Sequence, residues 1–418
     1  MTINLKKRSL LVTSAALLSG LSLVILTPPM LVIGLNFWGH YHDWPAALSS
    51  IVASACAYLA LASITLQFER YPQRNPVALI LPAIVLVYGL IFAGLLLART
   101  NYSLSIILVS FLEIALLLFA EILMRKRVHD SRFFIVPIGD FSGLKDSPHH
   151  QFIMLSTPQI PNGKVDGIVA DFSMYSHPQW QTFIAESALS GIPVYSVTEL
   201  REALTGRVDT AHLIANSLGS LQPQWPLFMI KRVVDLGFLL ITAPLSLPMM
   251  FIIGAWISWD SPGGPLYIHE RVGRGGKLFK MIKFRTMYLH DQPAGFTPEG
   301  IDPRITPAGR IIRRCRLDEL PQFWNVLKGE MSLVGPRPES KALAEWYLRD
   351  VPSFAYRHIV SPGITGWAQV MQGYAVGVED LKIKLAYDLF YIKHFSLWLE
   401  LLIWFKTLRV MITRQGAR

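Results

Sequence analysis

The sequence predicts a membrane protein of mixed α and α/β architecture, with a four-helix transmembrane bundle, a small α/β domain and an α-rich domain held on one leaflet by a re-entrant helical hairpin. Three observations predict it. The chain of 418 residues is 52% hydrophobic and 16% charged, too apolar for an ordinary soluble protein. Its longest apolar runs gather before position 128 and return only around 236–259. Its formal charge of +10 belongs to the second half, where residues 226–418 carry 25 Lys and Arg against 16 Asp and Glu, while residues 1–225 carry 14 against 13. Basic surface interleaved with apolar segments suits phosphorylated substrates and anionic lipid better than nucleic acid.

The first domain is assigned to residues 1–128. Apolar segments at about Leu10–Leu35, Ala46–Phe68, Val77–Ala98 and Leu104–Met124 each approach the ~20 residues that cross a bilayer. Lys6, Lys7 and Arg8 precede the first, Arg70 and Arg74 fill the second loop, and Arg125, Lys126 and Arg127 follow the fourth, whereas the other loops hold only Arg99. This asymmetry puts the N-terminus and everything after Met124 in the cytoplasm. A cleaved signal peptide competes for the first segment, but no small-residue cleavage site stands out.

Residues 129–222 form the second domain. Strand-like runs at Phe133–Ile138, Phe152–Leu155, Gly167–Ala170 and Pro193–Val197, with a helical stretch near Gln179–Ser190, predict a degenerate Rossmann-like α/β fold on the cytoplasmic side. It has neither GxGxxG nor a GxxxxGK[ST] loop, so packing or assembly is favoured over ligand binding.

The third domain covers residues 223–418. Its apolar stretch Leu236–Trp259 would reach ~36 Å as a straight helix. Pro244 and Pro248 fall near its middle and predict a break, and Lys231, Arg232, Arg271, Arg274 and Lys277 draw both ends to one side. The expected result is a re-entrant hairpin over about 228–259; a kinked fifth span is the alternative. Phe395–Ile412 reads either as an interfacial helix or as a buried core helix.

Residues 262–373 concentrate Gly, Pro, Arg and paired carboxylates. Thr306 and Pro307 predict a helix start, followed by the cations Arg310, Arg313 and Arg314. In Leu317–Gly329, Asp318 is expected at the N-cap of a second helix, Pro321 in its first turn and Gly329 at its close. There the helix end would stabilise the Asp318 anion and a phosphate beside it. Asp318 could then attack phosphorus, with Glu319 as magnesium ligand or proton acceptor. As an isolated helix start, the pair would be an acidic cap and nothing more. Val334-Gly335-Pro336-Arg337-Pro338 offers a rigid arginine, and Lys283-Phe284-Arg285-Thr286-Met287 a strand end with two cations. Arg271–Lys277 has the wrong spacing for a phosphate loop and reads as a hairpin turn. Cys56 and Cys315 are too far apart in sequence for a CxxC metal site, and no HExxH, GxSxG or Asp-x-Asp motif occurs.

From Lys231 onward the chain closely resembles the monotopic phosphoglycosyl transferases, bacterial sugar transferases of the larger, N-terminally extended kind. The resemblance rests on Lys231-Arg232-Val233-Val234-Asp235, Asp260-Ser261-Pro262-Gly263-Gly264-Pro265, Arg271-Val272-Gly273, Lys283–Met287, Asp302-Pro303-Arg304-Ile305-Thr306, Leu317-Asp318-Glu319-Leu320-Pro321-Gln322, Val334–Pro338 and Pro362–Val370, in this order. It implies transfer of a sugar-1-phosphate from a UDP-sugar to a polyprenyl phosphate, usually undecaprenyl phosphate, as the first membrane step of exopolysaccharide, O-antigen or capsule assembly. Asp318 matches the nucleophile that holds the sugar-phosphate as UMP leaves. Glu319 matches its partner, and Mg²⁺ is the implied cofactor, held by Glu319 and Asp318. Lys283, Arg285, Arg310, Arg314 and Arg337 are the expected phosphate contacts. The implied setting is the bacterial inner membrane, multi-pass, with the catalytic domain on the cytoplasmic face, no nucleic acid, and a second copy of the chain as an allowed partner. This sequence departs from the family pattern at Leu247, where serine often precedes the proline, at His269, where glutamine is common, and at Ser361, where arginine is frequent. A silent scaffold for polysaccharide export, and a one-step polytopic transferase, are the rival readings.

Overall fold

The computed structural model describes residues 17–32, 44–68, 76–128, 131–141, 144, 150–160, 165–172, 177–208, 225–288, 302–372 and 377–413. The chain divides into two compact units, Met1–Gly206 and Arg207–Arg418.

In the first unit, helices α1 (Leu17–Val32), α2 (Trp44–Phe68), α3 (Pro76–Leu97) and α4 (Leu104–Val128) follow the four predicted apolar segments. Their contacts are close and partly polar. A Cβ on Gly20 would lie 2.0 Å from the Tyr58 hydroxyl, so α1 and α2 meet where only glycine fits. Ser54 donates to Ser110 Oγ at 2.8 Å, and the Tyr88 hydroxyl lies 2.9 Å from the same oxygen, tying α2, α3 and α4 together. Lys6, Lys7, Arg8, Arg70 and Arg74, on which the orientation argument rests, lie outside the described residues.

The α/β part of this unit has strands β1 (Ser131–Ile135), β2 (His150–Met154), β3 (Gly167–Ala170) and β4 (Val194–Ser196), all parallel in the order β2-β1-β3-β4. Helices α5 (Pro178–Leu189) and α6 (Val197–Thr205) accompany them. Phe134, Ile168 and Phe183 form the core on one face, and Ile135, Val169 and Leu200 on the other. A sheet covered on both faces explains why its strands read as short unbroken apolar runs.

The second unit begins at Arg207, ahead of the boundary expected at 223, because the Val208 amide donates to Ala386 O at 3.0 Å and Arg207 stacks over Tyr387. Its long helix α7 (Trp225–Asp260) keeps both prolines inside the helix, and no non-helical turn separates two arms. Leu236, Phe238 and Leu239 pack on Phe279, Met281 and Val326. Met249, Ile253 and Ile257 pack on Phe284, Ala308 and Ile312 of the same unit. Between these contacts Leu240, Ile241, Leu245 and Leu247 are exposed.

Strands β5 (Leu266–Val272) and β6 (Leu278–Phe284) form an antiparallel hairpin around Arg274–Gly276, the turn expected there. Helix α8 (Pro307–Arg314) starts as the sequence predicts, with Thr306 Oγ1 accepting the Gly309 amide at 2.9 Å and Pro307 in the first turn. A 3₁₀ turn, Leu317–Gln322, runs into α9 (Phe323–Lys328), which Gly329 closes at φ +84°. Then come β7 (Ser332–Val334), α10 (Lys341–Asp350), a 3₁₀ segment Pro352–Ile359, β8 (Gly363–Thr365), α11 (Trp367–Met371), α12 (Val378–Lys393) and α13 (Leu397–Thr413). Strands β7 and β8 pair in parallel. On α13, Leu399, Glu400, Leu402, Ile403 and Phe405 are buried, so the stretch is a core helix. Its Glu400 ion-pairs with Lys231 of α7 and accepts the Tyr391 hydroxyl.

Candidate active site

The fold brings three chain segments to the Asp318-Glu319 pair. Strand β6 supplies Lys283 at its end, and Asn325 fixes that strand, accepting the Ile282 amide at 3.1 Å and donating to Lys280 O at 2.7 Å. The second segment is the loop after β7, which carries Arg337. It is seated by backbone contact: Gly335 N donates to Thr365 O at 2.8 Å and Gly363 N to Pro336 O at 3.0 Å. A Cβ on Gly363 would lie 2.0 Å from Gly335 N, so both motifs need glycine at that crossing. The third is the 3₁₀ turn bearing the dyad. Asp318 is not its N-cap. That place belongs to Arg316, in the left-handed region at φ 57°, and Asp318 is the second residue of the turn. The absent N–H of Pro321 removes an i→i−4 bond, so the chain winds as 3₁₀ before the α-helical bonds of α9 begin.

The two carboxylates differ sharply. Glu319 is buried, and its Oε1 accepts from Arg337 Nη2 at 3.0 Å and Lys283 Nζ at 3.3 Å, with Arg316 Nη1 at 3.9 Å. Burial alone would raise this carboxyl, but Arg337, Lys283 and Arg316 outweigh it and hold it at about 2. Asp318 is half-buried, and its carboxylate has no hydrogen bond or ion pair among the described residues. Burial, then the neighbouring Glu319 charge, raise its carboxyl above the usual aspartate range, against the pull of Lys283, Arg313 and Arg316. The direction is opposite to that expected of an N-cap anion.

Of the residues expected to contact phosphate, Lys283 and Arg337 reach the dyad. Arg285 does not. It is 4% exposed, and its guanidinium donates to Pro262 O at 2.6 Å, to Ser261 O at 2.8 Å and Oγ at 3.1 Å, and to Gly263 O at 3.3 Å, stapling the loop after α7. Arg310 and Arg314 lie exposed on the far side of α8, while Arg313, a position that reading did not choose, turns inward and donates to Thr286 Oγ1 at 2.7 Å. The signal was present: Ala308 and Ile312 are the buried i, i+4 pair, so Arg310 and Arg314 must face away. Arg316 had no such signal, because its left-handed backbone is what aims it at Glu319.

Behind Arg337 stands a buried charge network that the motifs did not reveal. Arg357 donates to Arg337 O at 2.9 Å, pairs with Asp388 at 2.8 Å and lies 3.6 Å from Glu339, which is also paired with Lys384. Burial would raise Glu339, but Lys384 and Arg357 hold it at about 2. Among the described residues no third His, Cys, Asp or Glu joins the dyad to make a metal cluster. The dyad nevertheless fits Mg²⁺, which commonly takes one or two carboxylates and fills its shell with water and substrate phosphate. Asp318 is free for that purpose, and the cations on Glu319 all use Oε1.

Residues 227–414, which hold every part of this cluster, match the family model described as bacterial sugar transferase. The similarity extends through the first unit. Over 402 residues, 96% of this chain and 94% of the relative, it is 37% identical to the UDP-N-acetylgalactosamine-undecaprenyl-phosphate N-acetylgalactosaminephosphotransferase of Aeromonas hydrophila. The chain belongs to the bacterial sugar transferase family. This transferase is therefore an enzyme, a phosphoglycosyl transferase with a long N-terminal extension. It is also 37% identical over 211 residues to a UDP-glucose:undecaprenyl-phosphate glucose-1-phosphate transferase of Caulobacter vibrioides, covering 49% of this chain and 79% of that one. An undecaprenyl-phosphate galactose phosphotransferase of Salmonella typhimurium is 38% identical over 206 residues, 45% of this chain and 41% of that one.

Proposed function

We propose that the transferase moves a sugar-1-phosphate from a UDP-sugar to undecaprenyl phosphate in two steps through an aspartyl phospho-sugar. The observation that carries this reading is the unequal dyad, with one carboxylate clamped by cations and its neighbour left free to react. In the first step an Asp318 oxygen attacks the β-phosphorus. The bond from that phosphorus to the bridging oxygen breaks, and the electron pair leaves with UMP. In the second step a phosphate oxygen of the lipid attacks the same phosphorus, the Asp318 carboxylate departs, and a diphosphate-linked sugar results. Lys283 and Arg337 stand where the charge of the transferring phosphate must be balanced. Glu319 holds those two cations in place. Asp318 and Glu319 would hold Mg²⁺, which would supply positive charge against the phosphate.

In this reading α1–α4 cross the inner membrane, and the catalytic unit lies on its cytoplasmic face, where soluble nucleotide sugar and lipid phosphate meet. Helix α7 stays helical through Pro244 and Pro248, bends at those prolines and dips into one leaflet without crossing it. In support, both flanks of α7 pack on one catalytic unit, whereas a perpendicular span would set its ends ~30 Å apart across hydrocarbon. The exposed middle supplies the apolar surface that would enter the lipid.

The test is trapping. With a labelled donor and no lipid acceptor, the wild type should retain label on the protein and release UMP, and Asp318→Asn should do neither while inserting and folding normally. Turnover by Asp318→Asn would remove the nucleophile assignment.

A further inference from the structure

The motif Lys231-Arg232-Val233-Val234-Asp235 has no part in the two-step chemistry, yet its three polar side chains all engage the catalytic unit. Arg232 donates to Val326 O at 2.5 Å and to Leu327 O at 2.8 Å, near the end of α9. Helix α9 continues directly from the 3₁₀ turn that carries Asp318 and Glu319. Asp235, one helical turn from Lys231, accepts from Ser332 Oγ at 2.6 Å, at the start of β7. Lys231 pairs with Glu400, which accepts the Tyr391 hydroxyl at 2.7 Å, and the same hydroxyl lies 3.3 Å from Val334 O at the end of β7. Arg337 stands in the loop that follows. A single turn of α7 therefore holds both chain segments that meet where Arg337 Nη2 reaches Glu319 Oε1 at 3.0 Å.

Stability alone does not account for this arrangement. Lys231, Asp235, Tyr391 and Glu400 are all buried, and a buried ion pair often stabilises no more than well-packed apolar side chains of similar volume, because desolvation offsets the attraction. What directional bonds add to apolar contacts is a fixed register between α7, α9 and β7. Phosphoryl chemistry is sensitive to such a register, since a misplacement of about 1 Å can cost on the order of a hundredfold in rate.

We propose that Lys231, Arg232 and Asp235, together with Tyr391 and Glu400, are positioning residues that set the separation of the dyad from Arg337 and so the grip of Arg337 on the donor diphosphate. The inference rests on the transfer reaction proposed above. The experiment uses the full-length protein in detergent, without turnover, and measures UDP binding to wild type, Tyr391→Phe, Arg337→Ala and the double variant. Tyr391→Phe removes the hydroxyl and keeps the ring that packs edge-on against Phe395. It should weaken UDP binding roughly fivefold when Arg337 is present and have no further effect once Arg337 is alanine, because no guanidinium is left to misplace. Equal losses in both backgrounds would mean a general loosening and overturn the proposal, as would an unchanged affinity or a wild type that binds no UDP. Ser332→Ala releases the other end of β7 and should show the same non-additivity with Arg337→Ala, so a folding failure of either variant leaves the other to decide. Trapping of label at Asp318 separates the two readings. Trapped label with additive losses keeps the transfer reaction and removes the positioning role; non-additive losses without trapped label remove the nucleophile and keep the positioning role.

Discussion

Burial acts on both carboxyls of the dyad in the same direction, and the placement of cations separates them. Lys283, Arg316 and Arg337 converge on Glu319, while Asp318 feels them only at a distance. A pH dependence follows. Asp318 must be an anion to attack phosphorus, so labelling is present above its raised pKa and is lost as pH falls through it, at a higher pH than for an ordinary aspartate. The depressed carboxyl of Glu319 has the opposite linkage: its stabilising contribution is complete above the unfolded carboxylate range and is lost as pH falls from there towards about 2. Acid should therefore stop labelling of Asp318 before it unfolds the catalytic unit. Labelling and far-UV circular dichroism across the same pH series check this, and unfolding first would contradict it. Arg285 offers a second residue-level test. Because it staples backbone carbonyls, Arg285→Ala should cost about 3 kcal/mol of stability, read as a lower thermal midpoint, with little change in donor KM for the folded fraction. Lys283→Ala should instead raise donor KM.

At the scale of elements, the reacting groups are held by crossings of backbone that leave no room for side chains. Gly363→Ala would place a methyl group 2.0 Å from Gly335 N and 2.6 Å from its Cα, which forces β7 and β8 apart and displaces Arg337. We expect loss of activity and destabilisation of about 3 kcal/mol or more, measured by transfer assay and thermal denaturation; near-normal values would mean the loop is less constrained than its contacts imply. Elements whose signals are local were legible in the sequence: the Thr306-Pro307 start of α8, the Gly329 stop of α9, the β5–β6 hairpin and the four parallel strands all fall within a few residues of expectation. What escaped depends on geometry set by tertiary packing. The 3₁₀ winding before α9 moved Asp318 off the cap, the left-handed Arg316 brought an unforeseen cation, and the Arg357–Asp388 pair joins positions 31 residues apart that no motif connects. The commitment of Arg285 to backbone carbonyls was not legible, because a motif records that a residue belongs to a site's neighbourhood, not which of its atoms are already engaged.

For the whole molecule, the proposed arrangement needs the dyad and the soluble donor on one side of the membrane. The chain carries its own reporter, since Cys56 and Cys315 are both exposed and Cys315 stands three residues before Asp318. In a Cys56→Ala background, a membrane-impermeant maleimide should label Cys315 in inverted vesicles and leave it unlabelled in intact spheroplasts; the reverse pattern would place the catalytic unit in the wrong compartment. The glycine crossing of β7 and β8 has a consequence for how such enzymes diversify. Relatives named for N-acetylgalactosamine, glucose and galactose are 37–38% identical to this chain over 206 residues or more. A junction made of main chain against main chain has no substituent that mutation could exchange to tell one hexose from another. Recognition of the sugar must be written in neighbouring positions that tolerate variety, and donor choice can then drift over time while the machinery for breaking the diphosphate stays as it is.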